Sequence, residues 1–181
     1  MQYKSIAVFC GSKTGNNSLY AMHAKQLGEL LAKNNITLIY GGGKSGLMGI
    51  LADSAMSNQG KVIGVIPEIL SQWELQNNTI SELHIVADMH TRKKMMYELC
   101  DAAIILAGGN GTLDELFELI TWNTLKIHEK RIMILNSNGY YNQLIAHLYT
   151  MQQEGFLHEN WEDRIAIYTT PTAIFDDLYP C

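Results

Sequence analysis

Residues 107–115 read Ala-Gly-Gly-Asn-Gly-Thr-Leu-Asp-Glu, and this stretch decides how the chain is expected to fold. The apolar run 102–106 before it predicts a buried strand, and the apolar spacing after it, over residues 116–125, predicts an amphipathic helix. A glycine-rich turn between a strand and a helix exposes backbone N–H groups, and the helix N-terminus adds partial positive charge. We therefore expect an anion, and a phosphate above all, to bind at this turn.

The remainder of the chain repeats the same alternation of strands and helices. Apolar runs at 6–9, 36–40, 62–66, 84–86, 132–135 and 165–167 predict six further strands, and residues 69–81 predict a loop with a short helical piece. Such alternation is typical of an α/β protein with a doubly wound, Rossmann-like parallel sheet and helices on both faces. Because no linker interrupts the pattern, we expect a single domain over residues 1–181. Ligands of such sheets bind beyond the carboxyl ends of the strands.

Composition excludes several classes of function. The chain has 181 residues, is 47% hydrophobic and carries a formal net charge of −5, which argues against a broad basic surface for nucleic acid or anionic membranes. No apolar run approaches the roughly 20 residues of a membrane-spanning helix, and the N-terminus lacks a signal-peptide pattern. Three scattered cysteines predict neither a disulfide framework nor a zinc site. We expect a cytoplasmic protein with no metal that binds neither nucleic acid nor a membrane.

A second glycine-rich turn follows the predicted second strand. Residues 41–46 read Gly-Gly-Gly-Lys-Ser-Gly and match the spacing of the dinucleotide-binding fingerprint, for which Glu68 would be the acidic residue about 20 positions further on. Three interpretations are open: a nicotinamide cofactor site, a turn that needs glycine for a positive φ, and a second wall of the phosphate pocket. We favour the second wall.

Glu115 has a structural and a functional interpretation. Thr112 and Glu115 have the spacing of a capping box, in which Thr112 begins the helix and Glu115 reaches back to its backbone N–H. This pattern alone favours a structural role, and Asp114 would then complement the helix dipole. A carboxylate within one turn of a phosphate-binding loop is equally well placed for acid–base chemistry.

Three consecutive cations point towards the functional interpretation. If Asp88 caps the helix after it, then Arg92, Lys93 and Lys94 lie in its first two turns, where the helix dipole destabilises each exposed cation by about 0.3–1 kcal/mol. A bound phosphate, or an acidic partner such as Glu115, would remove this penalty, and a solvated basic face is the alternative. The apolar spacing of this helix directs Arg92 towards the end of the sheet.

Other side chains are weaker candidates. His90 is a candidate for proton transfer, and Trp73 and Met89 for the flanks of a planar base, although these residue types more often serve structure or packing. The helix over residues 116–127 is more apolar than one face of a monomer's helix requires. Its composition predicts burial in the core or in a dimer interface.

Residues 89–93, which read Met-His-Thr-Arg-Lys, and the stretch 107–115 together resemble the paired signature of the Lonely Guy (LOG) family, the cytokinin riboside 5′-monophosphate phosphoribohydrolases. The resemblance covers nearly the whole chain, from residues 10–12 through 41–49 to 120–122 and 139–141. Ala107 stands where the family has proline, and Thr91 where many members have glutamate. Some members were long labelled lysine decarboxylases, but this chain has no motif for a pyridoxal phosphate lysine.

The resemblance implies that the protein hydrolyses the N-glycosidic bond of a nucleoside 5′-monophosphate without a cofactor, with AMP and cytokinin nucleotides both open as substrates. It implies that Glu115 activates water or stabilises an oxocarbenium-like sugar, while Arg92 holds ribose or phosphate oxygens and orients Glu115. The implied substrate- and phosphate-binding residues are Ser12, Gly42, Gly43, Glu82, Met89, Lys93, Gly108, Gly109, Gly111 and Thr112.

The resemblance also implies a homodimer or a larger homo-oligomer. The alternative function is that of a non-catalytic nucleotide or cofactor carrier resembling the molybdenum-cofactor carrier proteins. Such a carrier would keep the glycine-rich turns but would not need both Arg92 and Glu115.

Overall fold

The computed structural model describes residues 3–71 and 76–180, which contain seven strands and seven α-helices. The strands are β1 (Ser5–Phe9), β2 (Thr37–Tyr40), β3 (Val62–Pro67), β4 (Glu82–Val86), β5 (Ala102–Ile105), β6 (Arg131–Leu135) and β7 (Ile165–Tyr168). The helices are α1 (Ser18–Lys33), α2 (Gly46–Ser57), α3 (Glu68–Ser71), α4 (Met89–Leu99), α5 (Asn110–Thr124), α6 (Asn142–Gln153) and α7 (Pro171–Leu178). The predicted order of elements is confirmed, with strand bounds that differ by at most two residues.

The strands form one sheet in the order β4-β3-β2-β1-β5-β6-β7, and every neighbouring pair is parallel. The chain builds outward from β1 to β4 and then returns to place β5 on the other side of β1. The predicted doubly wound fold is therefore confirmed. The connection after β1 leads to one side of the sheet, and the connection after β5 leads to the other. Two such neighbouring strands leave a crevice at their carboxyl ends, so a ligand is expected between β1 and β5.

The sheet is covered on both faces because its strands are apolar on both faces. Ile6 and Val8 of β1 pack in a core cluster with residues of α1, α2 and α7. Ala7 and Phe9 of the same strand pack in a second cluster with residues of α4, α5 and α6. In this arrangement, α4 and α5 lie side by side on one face, and both begin at the carboxyl edge of the sheet. No helix within residues 3–71 and 76–180 is long and apolar enough to cross a membrane.

Candidate functional site

A cavity of about 270 Å³, here called the site cavity, opens where β1 and β5 end. Its walls come from the turn after β1, the glycine-rich turn after β5, and the first turns of α4 and α5. Seven of the predicted site residues line it: Ser12, Met89, Arg92, Gly109, Gly111, Thr112 and Glu115. The structure thus brings together the two halves of the sequence signature at the crevice that the strand order predicts.

Arg92 and Glu115 form a buried ion pair at the base of the site cavity. Nη1 of Arg92 donates to Oε1 of Glu115 at 2.8 Å, and both side chains are almost completely buried. Nε of Arg92 also donates to the carbonyl oxygen of Val65 in β3, at 3.1 Å. The pair therefore joins α4 to α5 and anchors the guanidinium on the sheet, which fixes the direction in which its other donors point.

The capping-box prediction for Thr112 and Glu115 is wrong. Helix α5 begins at Asn110, with Gly109 as its N-cap and with no side-chain cap bond. Thr112 consequently lies inside the first turn and Glu115 in the second, too far along the helix to reach back to the cap. The carboxylate of Glu115 pairs with Arg92 instead. Helix capping therefore does not explain the presence of this glutamate.

The glycine-rich turn has one glycine that packing requires and two that it does not. A Cβ on Gly108 would lie 2.1 Å from Oγ1 of Thr112. A Cβ on Gly109 or on Gly111 would have nothing within 4 Å, and neither residue has a positive φ. Open space beside these two glycines, at a helix start that lacks a side-chain cap, leaves backbone donors accessible to an anion.

The second glycine-rich turn leaves room for the side chain of Arg92. A Cβ on Gly41 would lie 2.3 Å from Nη2 of Arg92 and 3.1 Å from Sδ of Met48, so the guanidinium needs glycine there. Gly42 adopts a φ of +76°, and Gly43 forms an isolated β-bridge with Gln76. Gly42 and Gly43 are not among the residues that line the site cavity, so their place in a substrate pocket stays a prediction. Gly41 is the residue that the sequence analysis missed.

The other cations at the start of α4 have acidic partners. Nζ of Lys93 lies 3.0 Å from Oδ2 of Asp114 and 3.0 Å from Oε2 of Glu118, both on α5. Lys94 pairs with Glu98 one turn later, at 3.8 Å. Of the alternatives left open by the sequence, the structure shows acidic partners for Arg92 and Lys93, whereas Lys94 is mostly exposed to solvent. Lys93 does not line the site cavity, and its ammonium group is held between two carboxylates of α5, so a role in phosphate binding stays a prediction.

Glu82 lies at the wrong edge of the sheet for the predicted role. It is the first residue of β4 and pairs in register with Ile63, near the start of β3. Its carboxylate lies 2.8 Å from Nε2 of His84 and 4.0 Å from Nζ of Lys61. The prediction is wrong because all strands are parallel, so a residue at a strand start cannot reach a cavity at the strand ends.

Among the weaker candidates that lie within the described residues, Met89 alone lines the site cavity. His90 is exposed and outside the cavity lining, and Trp73 lies outside the described residues. Within the described ranges, no group of three or more acidic, histidine or cysteine side chains is arranged to hold a metal ion.

Burial controls the ionisation of two groups in the site cavity. Burial raises the pKa of the Glu115 carboxyl above its usual value, and the charge of Arg92 partly opposes this shift. Burial also raises the pKa of the Cys10 thiol, and the nearby charge of Glu115 raises it further. Cys10 ends the first predicted strand and was not among the predicted site residues. Because its thiol stays protonated, Cys10 contributes an uncharged wall and not a nucleophile.

Comparisons with known proteins agree with this geometry. A family model described as "possible lysine decarboxylase" matches residues 48–178. The chain is 46% identical over 172 residues to the cytokinin riboside 5′-monophosphate phosphoribohydrolase LOG1 of Arabidopsis thaliana, covering 95% of this chain and 80% of the relative. It is 41% identical over 165 residues to the cytokinin riboside 5′-monophosphate phosphoribohydrolase of Rhodococcoides fascians, covering 91% and 83% of the two chains.

A solved structure shares the fold over almost the same length. The molybdenum cofactor binding protein from Rippkaea orientalis superposes with a TM-score of 0.73 at 20% identity, covering 98% of this chain and 96% of that one. At this level of identity the likeness shows a common fold alone.

Proposed function

The chain belongs to the Lonely Guy family, and from that membership we propose that it hydrolyses the N-glycosidic bond of a nucleoside 5′-monophosphate. The products are the free base and ribose 5-phosphate. The observation that carries the proposal is the buried 2.8 Å pair of Arg92 and Glu115, which shares one cavity with an uncapped glycine-rich helix start. A carrier would need the glycine-rich turn but has no use for a desolvated carboxylate beside it.

The start of α5 binds the 5′-phosphate in this proposal. The backbone N–H groups of Asn110, Gly111 and Thr112 are the unpaired donors of a first helical turn, and the open side of Gly109 and Gly111 lets an anion approach them closely. Ser12 forms the facing wall. A phosphate held here places the ribose towards the next turn of the helix, about 5.4 Å further along, where Glu115 lies.

Glu115 acts on the sugar in the proposed reaction. Cleavage of an N-glycosidic bond passes through an oxocarbenium-like ribose, and a carboxylate stabilises this cation or removes a proton from the attacking water. The raised pKa of Glu115 brings the carboxylate closer to the operating pH, which favours proton transfer. Arg92 holds one carboxylate oxygen and directs its other donors towards ribose or phosphate oxygens.

The base occupies the apolar part of the site cavity. Met48, Leu70 and Met89 line this part, and their flexible or branched apolar side chains suit the faces of a planar ring. The names of the relatives specify cytokinin riboside monophosphates, which carry an adenine base with an apolar substituent. We propose AMP and cytokinin nucleotides as the substrate class.

The test is direct. The protein is incubated with AMP and with isopentenyladenosine monophosphate, and the free base is measured by chromatography. Release of adenine or isopentenyladenine supports the proposal and ranks the two substrates. If neither these nor any other nucleoside monophosphate yields a base, the non-catalytic carrier is the better description.

We further propose that the protein forms a homodimer through the outer face of α5 and the segment beyond it. Leu125 and Ile127 are 64% and 59% exposed, and Phe156, which shares a shallow cavity with Ile120 of α5, is 78% exposed. Large apolar side chains that are exposed to solvent are typical of an interface between subunits.

A further inference from the structure

Two consecutive tyrosines hold the backbone that leads into the glycine-rich turn. Oη of Tyr141 donates to the carbonyl oxygen of Leu106 at 2.6 Å, and Oη of Tyr140 donates to that of Gly108 at 2.5 Å. Between them, the N–H of Gly11 donates to the carbonyl oxygen of Ala107 at 3.0 Å. Three successive carbonyl groups are thus each bound by a donor from outside the turn.

The bond from Tyr140 controls the least restrained peptide of the three. The Gly108–Gly109 peptide lies between two residues without a Cβ, so sterics give it little preference for one orientation. In a trans peptide the C=O and the following N–H point in opposite directions. A carbonyl of Gly108 that is held by Tyr140 therefore turns the N–H of Gly109 away from Tyr140.

That direction leads towards the proposed phosphate site. Tyr140 lines a neighbouring cavity of about 360 Å³, whereas Gly109 lies between that cavity and the site cavity and lines both. Tyr140 itself is not part of the lining of the site cavity. An N–H of Gly109 that points away from Tyr140 points into the site cavity, beside the donors at the start of α5.

We propose that Tyr140 is a positioning residue for the phosphate: it orients the Gly108–Gly109 peptide so that the N–H of Gly109 joins the donors of α5. This inference rests on the proposed function for the identity of the anion. Tyr141, which is almost completely buried, holds the carbonyl of Leu106, two residues before that of Gly108. Tyr140 is 45% exposed, and its ring packs edge-on against the rings of Tyr20 and Tyr141, with centroids 5.6 Å and 4.8 Å away.

These packing contacts make Tyr140→Phe an informative variant, because phenylalanine keeps the ring contacts and loses only the hydroxyl. The variant Tyr149→Phe is a matched control, because it also removes one hydroxyl from a half-exposed tyrosine. Tyr149 is 44% exposed and donates one hydrogen bond of 2.7 Å to Glu162, away from the glycine-rich turn. Both variants remove one hydroxyl from a half-exposed tyrosine, and both should unfold at the same temperature as the wild-type protein.

We expect Tyr140→Phe to raise KM for AMP about three- to tenfold, the factor of one lost hydrogen bond, with kcat within about twofold of wild type. The affinity for ribose 5-phosphate, measured by calorimetry, should fall by the same factor, while the affinity for adenosine, which has no phosphate, should not change. Tyr149→Phe should leave all of these values at their wild-type level.

Wild-type affinity of Tyr140→Phe for ribose 5-phosphate would overturn the proposal, and so would a fall in kcat at unchanged KM. Equal weakening of adenosine binding would also overturn it, since that result indicates general damage to the site. If the wild-type protein releases no base from any nucleotide but Tyr140→Phe still weakens ribose 5-phosphate binding, then the proposed hydrolysis fails while the positioning role stands.

Discussion

Oε1 of Glu115 lies 2.8 Å from Nη1 of Arg92, in a place where almost no water reaches either side chain. The two residues are 23 positions apart in sequence and come from successive helices that both begin at the carboxyl edge of the sheet. A buried charge pair of this kind contributes little net stability but is costly to break from one side. The position of the pair beside an open, uncapped helix start is explained better by a role in catalysis than by a contribution to stability.

Glu115→Gln tests the proposed role of the carboxylate. Glutamine can still accept a hydrogen bond from Arg92, but it cannot take a proton from water or neutralise an oxocarbenium ion. We expect base release from AMP to fall by roughly 10²–10⁴-fold. Because the variant leaves the charge of Arg92 buried without a counter-charge, we also expect a loss of stability of up to about 3–5 kcal/mol.

Glu118→Gln is the matched control for that loss of stability. Glu118 lies three residues further along α5, where its carboxylate accepts a bond from Tyr97 and pairs with Lys93. It lies outside the site cavity, so its variant should be destabilised yet retain base release within a few-fold of wild type. Near-normal turnover by Glu115→Gln, measured below the unfolding transition of both variants, would exclude the proposed mechanism.

Gly41→Ala tests whether the glycine after β2 exists to admit Arg92. The added Cβ would lie only 2.3 Å from Nη2 of Arg92, so the guanidinium must move. We expect a rate loss on the order of 10²-fold, the usual result of displacing a positioning group by about 1 Å. Overpacking should lower the free energy of unfolding by about 1–3 kcal/mol. Wild-type kinetics for Gly41→Ala would contradict the role assigned to this glycine.

Gly111→Ala should change stability and function in opposite directions. Residue 111 lies in the first turn of α5 with open space around the missing Cβ, so alanine fits the backbone and should stabilise the fold by about 0.4–1 kcal/mol. The same methyl group would stand where the phosphate approaches, so the affinity for ribose 5-phosphate should fall. Calorimetry and thermal unfolding measure the two effects separately. An unchanged affinity for ribose 5-phosphate would show that the phosphate does not bind at this turn.

The pH dependence follows from the raised pKa of Glu115. If the ionised carboxylate is the active form, kcat/KM should rise with pH through a value above the usual pKa of a glutamate, about 4.3. The carboxyl of Glu115 then binds its proton more tightly in the folded state than in the unfolded state. Its protonation therefore stabilises the fold fully at a pH below the pKa of the unfolded state. This stabilisation is lost as pH rises through the folded pKa. Both dependences should disappear in Glu115→Gln, as pH–rate profiles and denaturant titrations would reveal.

The proposed homodimer predicts a mass of about twice 20.3 kDa by light scattering at micromolar concentration. Ile127→Glu places a charge in the exposed apolar patch and should shift the protein towards monomer, whereas Met22→Glu, an exposed apolar residue on α1, should not. A wild-type protein that is monomeric under these conditions would rule out this interface.

The order of strands and helices along the chain was predictable because apolar periodicity is local. The crevice between β1 and β5 was not, because it depends on the order of the strands within the sheet. The pairing of Arg92 with an acid was also predictable, because cations at a helix start need compensation. The role of Gly41, in contrast, depends on a contact between residues that are distant in sequence. The clash that Gly41 avoids involves a residue 51 positions later, and no local pattern records it. The start of α5 was misplaced because the capping-box spacing of Thr112 and Glu115 outweighed the glycine that actually caps the helix.

Glu82 shows a limit of assigning residue roles from a family resemblance. The family resemblance implies a substrate-binding role for this residue, but a resemblance carries no information on the end of the strand at which a residue lies. The predicted fourth strand ran over residues 84–86, so Glu82 preceded it, and the direction of a parallel strand already assigns that position to the edge opposite the ligand. Chain direction alone excludes it from the site.

Two neighbouring sets of ion pairs join α4 to α5: Arg92 with Glu115, and Lys93 with Asp114 and Glu118. They reduce the entropy that the protein loses when a nucleotide binds. Helices cross-linked at two adjacent points cannot slide past each other, so the distance between the guanidinium and the phosphate-binding turn is already set in the empty protein. Binding then orders few additional side chains, and little conformational entropy is lost when the ligand arrives. The electrostatic environment is likewise preorganised, so the developing charge on the ribose meets dipoles that need no reorientation.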